Sequence, residues 1–425
     1  MAPETVVLTI MTRLALPTRA LARSWSNAFS MLNARPSLNG LNPILLLQLS
    51  FGAASECTGR KMSKISIIIK TLNEATNIAR AVQSALAAIA DYEGEVIVAD
   101  SASTDETVAI ARQFPTSVVV LESASQRRCG VGPQLGYQYC KGEYIYILDG
   151  DMELDAGFIR KAVDILDHQH DVAGVGGYIH EMRTDNLELK GRVKRFQRAR
   201  RKDKLDVDCL NGGGLYRRVA ISQIGYLSDR NLHAFEEYDL GARLRGAGWR
   251  LVLLEDKAVD HYSYVMGTWS LLWHRVLSGR FLSCGELFRA AMAGQYVGRL
   301  LREVRIVPLS IGVWVYWALA IVVAQSALPS LTLLVALGIP VIAMAVRTKS
   351  LNLGLFSVIT WHLSAGGFVV GVLRSRCSPN AVIASRLVHS VDRDAADTGR
   401  GPLYAGAGLE SGIYPVWSKQ PAAQR

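Results

Sequence analysis

Two carboxylates flank one glycine in Asp149-Gly150-Asp151, directly after the apolar run Tyr144-Ile145-Tyr146-Ile147-Leu148. A short run of aromatic and β-branched residues is the pattern of a buried strand. In parallel α/β sheets, ligands gather at the carboxyl ends of strands, which is where these side chains would lie. Two neighbouring carboxylates repel each other, and a divalent cation relieves that repulsion. Mg²⁺ commonly takes one or two protein carboxylates together with substrate phosphates. Gly150 would let the backbone turn so that both side chains serve one ion. Taken without its surroundings, the same tripeptide also fits a solvated turn.

The elements that must position this pair lie upstream. Ile65 to Lys70 reads as a buried strand, followed by the polar loop Thr71-Leu72-Asn73-Glu74 and a helical pattern over 75–90. Asn73 is placed to cap that helix. Glu95 to Ala99 is a second strand; it leads into Asp100-Ser101-Ala102-Ser103-Thr104-Asp105, and a helix starts near Glu106 with Asp105 as its cap. Ser117 to Leu121 is a third strand, Gly130 to Cys140 holds a helix, and Tyr144 to Leu148 is the fourth strand. Strands alternating with helices predict an α/β fold, a mostly parallel sheet with flanking helices and right-handed crossovers. The loops 71–74, 100–105 and 149–151 then share one sheet edge. No Gly-X-Gly-X-X-Gly follows the first strand, which excludes a dinucleotide fingerprint there. Phe158 to His168 reads as a helix and Val172 to Tyr178 as a strand; His168 and His170 fall in a polar turn between them.

The chain has 425 residues, a net charge of +10 and half its residues apolar. A basic excess fits nucleic acid, an anionic membrane surface or a phosphorylated substrate. No nucleic-acid motif occurs, so the last two lead. The six cysteines are scattered with no Cys-X-X-Cys, which argues against a zinc site or a disulfide framework and suits a reducing compartment. Residues 1–61 are rich in Ala, Ser, Leu and Arg, with only Glu4 and Glu56 acidic. They read as a poorly ordered extension, either a transit-like segment or sequence upstream of a natural start at Met62.

Together, Ser66-Ile-Ile-Ile-Lys-Thr-Leu-Asn-Glu74, Val98-Ala-Asp-Ser-Ala-Ser-Thr-Asp-Glu-Thr107 and Gly142 through Asp151 resemble the family 2 glycosyltransferases, whose catalytic domain has the GT-A fold. The resemblance covers residues 64–265 and is to the membrane-anchored, bacterial cell-surface polysaccharide type. It implies a nucleotide-sugar donor (UDP- or GDP-sugar), with Thr71, Asn73 and Glu74 at the edge of the nucleotide pocket. Asp100 would hold the base or ribose, and Asp149 and Asp151 the metal and diphosphate. The run Gln126-Arg127-Arg128 is within reach of a diphosphate or is simply solvated. Asn211-Gly212-Gly213-Gly214 is the small-residue stretch that the family places beside donor sugar and acceptor. Phe235-Glu236-Glu237-Tyr238-Asp239 matches the family's acidic pair. Aligned on the Leu-X-X-Arg that follows, Glu237 takes the place of the usual aspartate base, with Glu236 and Asp239 as rivals; Asp239 also fits an i,i+4 pair with Arg243. His261 corresponds to a histidine that completes the metal shell in some relatives. The Gln-X-X-Arg-Trp motif of processive synthases does not occur, since Gln197-Arg-Ala-Arg200 is followed by Arg201.

The remainder reads as membrane-related. Residues 190–204 carry a dense basic run, suited to anionic lipid headgroups or a phosphorylated acceptor, or else a solvated helix. Residues 266–305 mix tryptophan and phenylalanine with arginine, as amphipathic interfacial helices do. Residues 306–346 lack any charge, enough for two crossings at roughly 20 residues each, with a break near Pro329. Leu351 to Leu373 is a third span or an interfacial segment. Arg299, Arg302 and Arg305 place the catalytic domain on the cytoplasmic face of the inner membrane. Residues 375–425 read as a disordered tail. The sequence therefore predicts inverting, non-processive sugar transfer, dependent on Mg²⁺ or Mn²⁺, to a lipid-linked or saccharide acceptor at the membrane. A polyprenyl-phosphate sugar synthase and a non-catalytic nucleotide-sugar-binding subunit are the alternatives.

Overall fold

A computed structural model describes residues 65–182, 206–262, 267–326 and 329–390. The extension 1–61, the basic run 190–204 and the tail beyond 390 lie outside the described residues.

Four strands form a parallel set: β1 (Ile65–Thr71), β2 (Gly94–Asp100), β3 (Ser117–Leu121) and β4 (Tyr144–Asp149). Their β-branched residues are buried on both faces, which is why they read as continuous apolar runs rather than alternating ones. β1 sits between β2 and β4, with Thr71 opposite Asp100 and Lys70 opposite Asp149. That register brings the three polar loops to one edge, as the sequence predicts.

Beyond β4 the sheet is mixed. β5 (Met152–Leu154), β6 (Val172–Glu181), β7 (Gly214–Arg217) and β8 (Arg250–His261) complete the order β5-β8-β6-β7-β4-β1-β2-β3-β9. β7 runs antiparallel to β4, and β5 antiparallel to β8 with Met152 opposite His261. The latter pairing carries His261 to the end of β4.

The helices pack on both faces. They are α1 (Ile78–Ala88), α2 (Thr107–Ala111), α3 (Val131–Tyr137), α4 (Ala156–His168), α5 (Arg218–Gln223) and α6 (Glu236–Gly246). One apolar cluster joins α1 and α4 to the sheet, and a second joins α3, α5 and α6 to its other face. α1 begins later than its periodicity predicts, because Asn73 does not cap it. Asn73 has φ 58, in the left-handed region, and its Oδ1 accepts from the Thr104 backbone N–H at 2.8 Å. The side chain that would cap the helix instead ties two loops together.

Further along lie α7 (Thr268–Leu277), α8 (Ser283–Ala293) and α9 (Val297–Glu303), then three long apolar helices, α10 (Ile306–Ser326), α11 (Pro329–Thr348) and α12 (Leu351–Leu373). All three are long and apolar enough to cross a membrane. The start of the expected disordered tail is a strand instead. β9 (Ser385–His389) pairs antiparallel with β3. Ser-Arg-Leu-Val-His is too short and too polar to announce itself; the open edge of β3 supplies its partners.

Candidate active site

The first two loops lock together. Asp100 is fully buried at the end of β2. Its Oδ1 accepts from the Ser103 N–H at 2.8 Å, and its Oδ2 accepts from the Thr71 hydroxyl at 3.0 Å and the Ser103 hydroxyl at 2.5 Å. The Glu74 N–H donates to the Thr107 hydroxyl at 2.7 Å, and Asp105 accepts from the N–H groups of Ala75 and Thr107. Asp105 thus holds the first turn of α2, as expected. Asp100 and Thr71 act as the clasp between loops. Arg127 reinforces that clasp by donating to the Ser101 and Ala102 carbonyls. Its side chain is turned to that loop and not to the Asp149 edge.

At the end of β4, the Asp149 Oδ1 atom is buried and accepts no hydrogen bond among the described residues. It faces the Lys70 ammonium at 3.0 Å, an ion pair whose geometry does not amount to a hydrogen bond. Lys70 also reaches Glu236 Oε1 at 3.3 Å. Burial alone would lower the Lys70 pKa, but the carboxylates of Asp149, Glu236 and Glu237 outweigh it and raise it well above the ordinary value. Gly150 is required for space. A Cβ there would stand 2.9 Å from Thr71 Cγ2 and 3.0 Å from Glu74 Cγ, so glycine lets the carboxylate turn nest against the first loop.

Asp151 meets His261 across the β5–β8 pairing, with Oδ2 3.2 Å from Nε2. On its other side His261 Nδ1 lies 2.6 Å from Glu181 Oε2, at the end of β6. A carboxylate on one imidazole nitrogen fixes the tautomer that presents the other to an ion. Burial lowers the His261 pKa, but hydrogen bonds to Asp151 and Glu181 overcome this and raise it to about 10. An ion at Nε2 would displace that proton.

Among the described residues no three His, Cys, Asp or Glu side chains converge closely enough to cage an ion unaided. The donor set still fits one: a buried Asp149 carboxylate oxygen that accepts no hydrogen bond, the Asp151 carboxylate and an oriented imidazole, with substrate phosphates to complete the shell.

Glu237 enters from α6. Its Oε1 accepts from the Gly212 N–H at 3.0 Å. Gly212 has φ +72, and a Cβ on it would fall 2.3 Å from Ile179 Cδ1. The glycine stretch therefore serves the carboxylate through its backbone. Burial pushes the Glu237 pKa up to about 7, helped by the Glu236 and Asp149 carboxylates and restrained by Lys70 and the Gly212 N–H. Asp239 drops out as a rival. It is wholly buried, 2.8 Å from Arg243 and 2.5 Å from the Tyr296 hydroxyl, so it fastens α6 to the α8–α9 connection.

One cleft of about 880 Å³ is lined by Lys70, Asp149, Glu181, Glu236, Glu237, Gly212 and His261. Thr71, Asn73, Glu74 and Asp100, expected at the nucleotide, and Asp151 are not among its lining residues. Sequence reasoning missed Lys70, Glu181 and Tyr296. Lys70 alone left a signal, a cation ending an isoleucine strand.

The sequence model of Glycosyl transferase family 2 matches residues 66–225. Residues 66–225 form a family 2 glycosyltransferase domain. An uncharacterized glycosyltransferase of Rickettsia felis is 41% identical over 101 residues, covering 22% of this chain and 30% of that protein. Another from Rickettsia bellii is 42% identical over 99 residues, 21% and 29% of the two chains. The matched stretch thus spans about 30% of the length of these relatives. Among solved structures, the mannosyltransferase PcManGT of Pyrobaculum calidifontis, in complex with GDP-Man and Mn²⁺, is 18% identical with a TM-score of 0.47, covering 76% of this chain and 94% of that one. Glucosyl-3-phosphoglycerate synthase of Mycobacterium tuberculosis, in complex with Mn²⁺, UDP-glucose and phosphoglyceric acid, is 17% identical with a TM-score of 0.39, covering 54% and 81%. The described residues form a mixed α/β sheet with flanking helices, and three helices long and apolar enough to cross a membrane follow it.

Proposed function

We propose that this chain transfers a sugar from a nucleotide-sugar donor to a hydroxyl of a lipid-linked or polysaccharide-precursor acceptor, with inversion and one sugar at a time, at the cytoplasmic face of the membrane. The observation that carries this reading is the convergence, in one cleft, of the strand-end carboxylate Asp149, the His261 imidazole and a carboxylate, Glu237, whose pKa is raised to about 7. A general base works best when its pKa lies near the working pH.

Asp149, Asp151 and His261 would hold Mg²⁺ or Mn²⁺, which when bound neutralises charge on the departing nucleoside diphosphate. The loop built by Thr71, Asn73 and Glu74 borders the nucleotide, and Asp100 keeps that loop in shape from behind. Glu237 takes the proton of the acceptor hydroxyl. The hydroxyl oxygen bonds to the anomeric carbon on the face opposite the diphosphate. The bond from that carbon to the diphosphate oxygen breaks, and its electron pair leaves with the nucleotide. Lys70 adds a fixed positive charge beside Asp149. Glu236 takes up part of that charge and keeps it next to Glu237.

The test is nucleoside diphosphate release from a panel of UDP- and GDP-sugars by the full chain in membranes, with and without Mn²⁺ or Mg²⁺. Release should require the metal. Asp149→Ala and Asp151→Ala should each abolish metal-dependent donor binding and leave thermal unfolding unchanged, because strand-end carboxylates support no core. Full activity of either variant in the same metal buffer refutes the metal assignment.

A further inference from the structure

Glu237 stands on a loop that does not hold itself. Residues 228–235 lead into α6, and Ala234, Phe235, Glu236 and Glu237 all line the cleft. Phe235, the last residue before the helix, has φ 68, in the left-handed region, and a phenyl side chain offers the helix no cap. A bulky residue keeps that conformation only where its surroundings impose it. The placing of Glu237 therefore depends on whatever fixes the loop ahead of it.

The fixing comes from the far end of the chain. Three consecutive loop residues take partners from the segment 376–382, which follows α12. Asp229 is fully buried and pairs through Oδ2 with the Arg376 guanidinium. The Arg230 guanidinium donates to the carbonyls of Ala381 and Val382 at 3.0 and 3.1 Å. Asn231 makes a two-way pair with the Cys377 backbone: its Oδ1 accepts from the N–H at 3.0 Å, and its Nδ2 donates to the carbonyl at 2.9 Å. Arg376 also donates to the Glu286 carbonyl at 3.1 Å. The buried Glu286 side chain, on α8, accepts from the His233 N–H at 3.1 Å and lies 2.8 Å from His233 Nδ1. One arginine thus reaches the loop twice, directly at Asp229 and by way of α8 at His233. The loop also supports another part of the cleft lining, since the Leu232 carbonyl accepts from the Gly130 N–H at 3.1 Å, next to Cys129.

The Arg376–Asp229 pair sets the charge balance of this loop. Among the described residues, the other donors to the Asp229 carboxylate are the Asn231 N–H and side-chain amide, at 2.9 and 2.7 Å from Oδ1, and both are neutral. Removing Arg376 leaves a buried carboxylate without its counter-charge, a state relieved when the loop swings toward water. Phe235 then loses the constraint on its backbone, and the first turn of α6 moves with Glu237. The Thr71–Asp100–Ser103 clasp shares no residue with this loop, so the donor side is held separately. We propose that Arg376 is a positioning residue for sugar transfer: from beyond the apolar helices it neutralises Asp229 and holds residues 228–235 in the form that seats Glu237 in the cleft. The assignment rests on the reading of Glu237 as the base. The segment after α12 is then a working part of the active site.

Arg376→Met, made in the full chain in membranes, tests this with two readouts. Hydrogen exchange needs no substrate: the amides of residues 229–239 should exchange faster than in the wild type, while those of β1 and β2 stay as protected. In steady-state nucleoside diphosphate release, kcat should fall about 10- to 100-fold, with the donor KM near its wild-type value. Arg376→Lys keeps the charge and should recover most of the kcat. Asp229→Asn added to Arg376→Met should do the same, because no uncompensated buried charge remains. Where Arg376→Met fails to fold, Arg376→Gln takes its place under the same outcomes. Unchanged exchange over 229–239 overturns the proposal. So does a lowered melting temperature with kcat unchanged, which reduces Arg376 to a stabiliser of the fold. If the wild type itself releases no nucleoside diphosphate, the sugar-transfer reading falls and the positioning role with it, a failure distinct from an unchanged exchange pattern.

Discussion

Replacing Glu237 by Gln tests the chemistry most directly. Gln keeps the size and the acceptor for the Gly212 N–H but cannot take a proton. General-base assistance is worth roughly 10²- to 10⁴-fold, so turnover with a hydroxyl acceptor should fall by about that factor while donor affinity stays near wild type. The pH profile adds a second constraint. With a pKa of about 7, roughly a tenth of Glu237 is ionised at pH 6 and roughly nine-tenths at pH 8. Since the active form is the carboxylate, wild-type kcat/KM should rise about tenfold across that interval and then level. The Gln variant should lose this limb. Lys70→Met removes the ammonium that holds the Glu237 pKa down, so its limb should move to higher pH. Glu236→Gln should cost less than Glu237→Gln, because Glu236 is engaged with Lys70. The assay is initial-rate nucleoside diphosphate release at saturating metal from pH 5.5 to 9. Near-wild-type turnover of Glu237→Gln, or an unchanged acid limb in that variant, refutes the assignment. It would favour Glu236 or an acceptor that is already ionised.

Glu181→Gln should weaken metal binding about 10- to 100-fold with little change in thermal stability, because it orients His261 without touching the ion; Mn²⁺ titration by calorimetry reads this directly, and an unchanged affinity removes His261 from the ligand set. Metal affinity in the wild type should also fall as pH drops, since the raised His261 pKa means that the ion competes with a proton. Gly212→Ala forces a side chain into the left-handed region and against Ile179. It should cost about 1–3 kcal/mol of stability and lower kcat more than donor affinity, measured by thermal unfolding and steady-state kinetics; an unperturbed kcat would show that the Gly212 N–H does not orient the base.

The parallel half of the sheet was legible because its strands are buried on both faces, and such strands announce themselves as apolar runs ending in polar loops. The loops at 71–74, 100–105 and 149–151 were placed correctly for the same reason. The rest was hidden where structure comes from partners rather than from local pattern. β5 and β7 are three and four residues long, too short for any period, and β9 exists because β3 had an open edge. Roles were harder than places. Asp100 was expected to touch the nucleotide, yet its oxygens are occupied by Thr71 and Ser103, a contact set by how two loops meet and not by either sequence alone. Asp239 sat in the acidic pair motif beside Glu237, and only its burial against Arg243 and Tyr296 separates an anchor from a base.

Lys70 shows most clearly what pairing adds to sequence. At the end of an isoleucine run it reads as the solvated cap of a strand. The parallel register puts it opposite Asp149, and the approach of α6 then brings Glu236 to it. A lysine that would be unremarkable in water becomes the counter-charge of the carboxylate cluster. The same ammonium that balances Asp149 also restrains the pKa of Glu237. Charge at the leaving-group side and basicity at the acceptor side are therefore set by one residue, and neither effect can be read until both strands and α6 are in place.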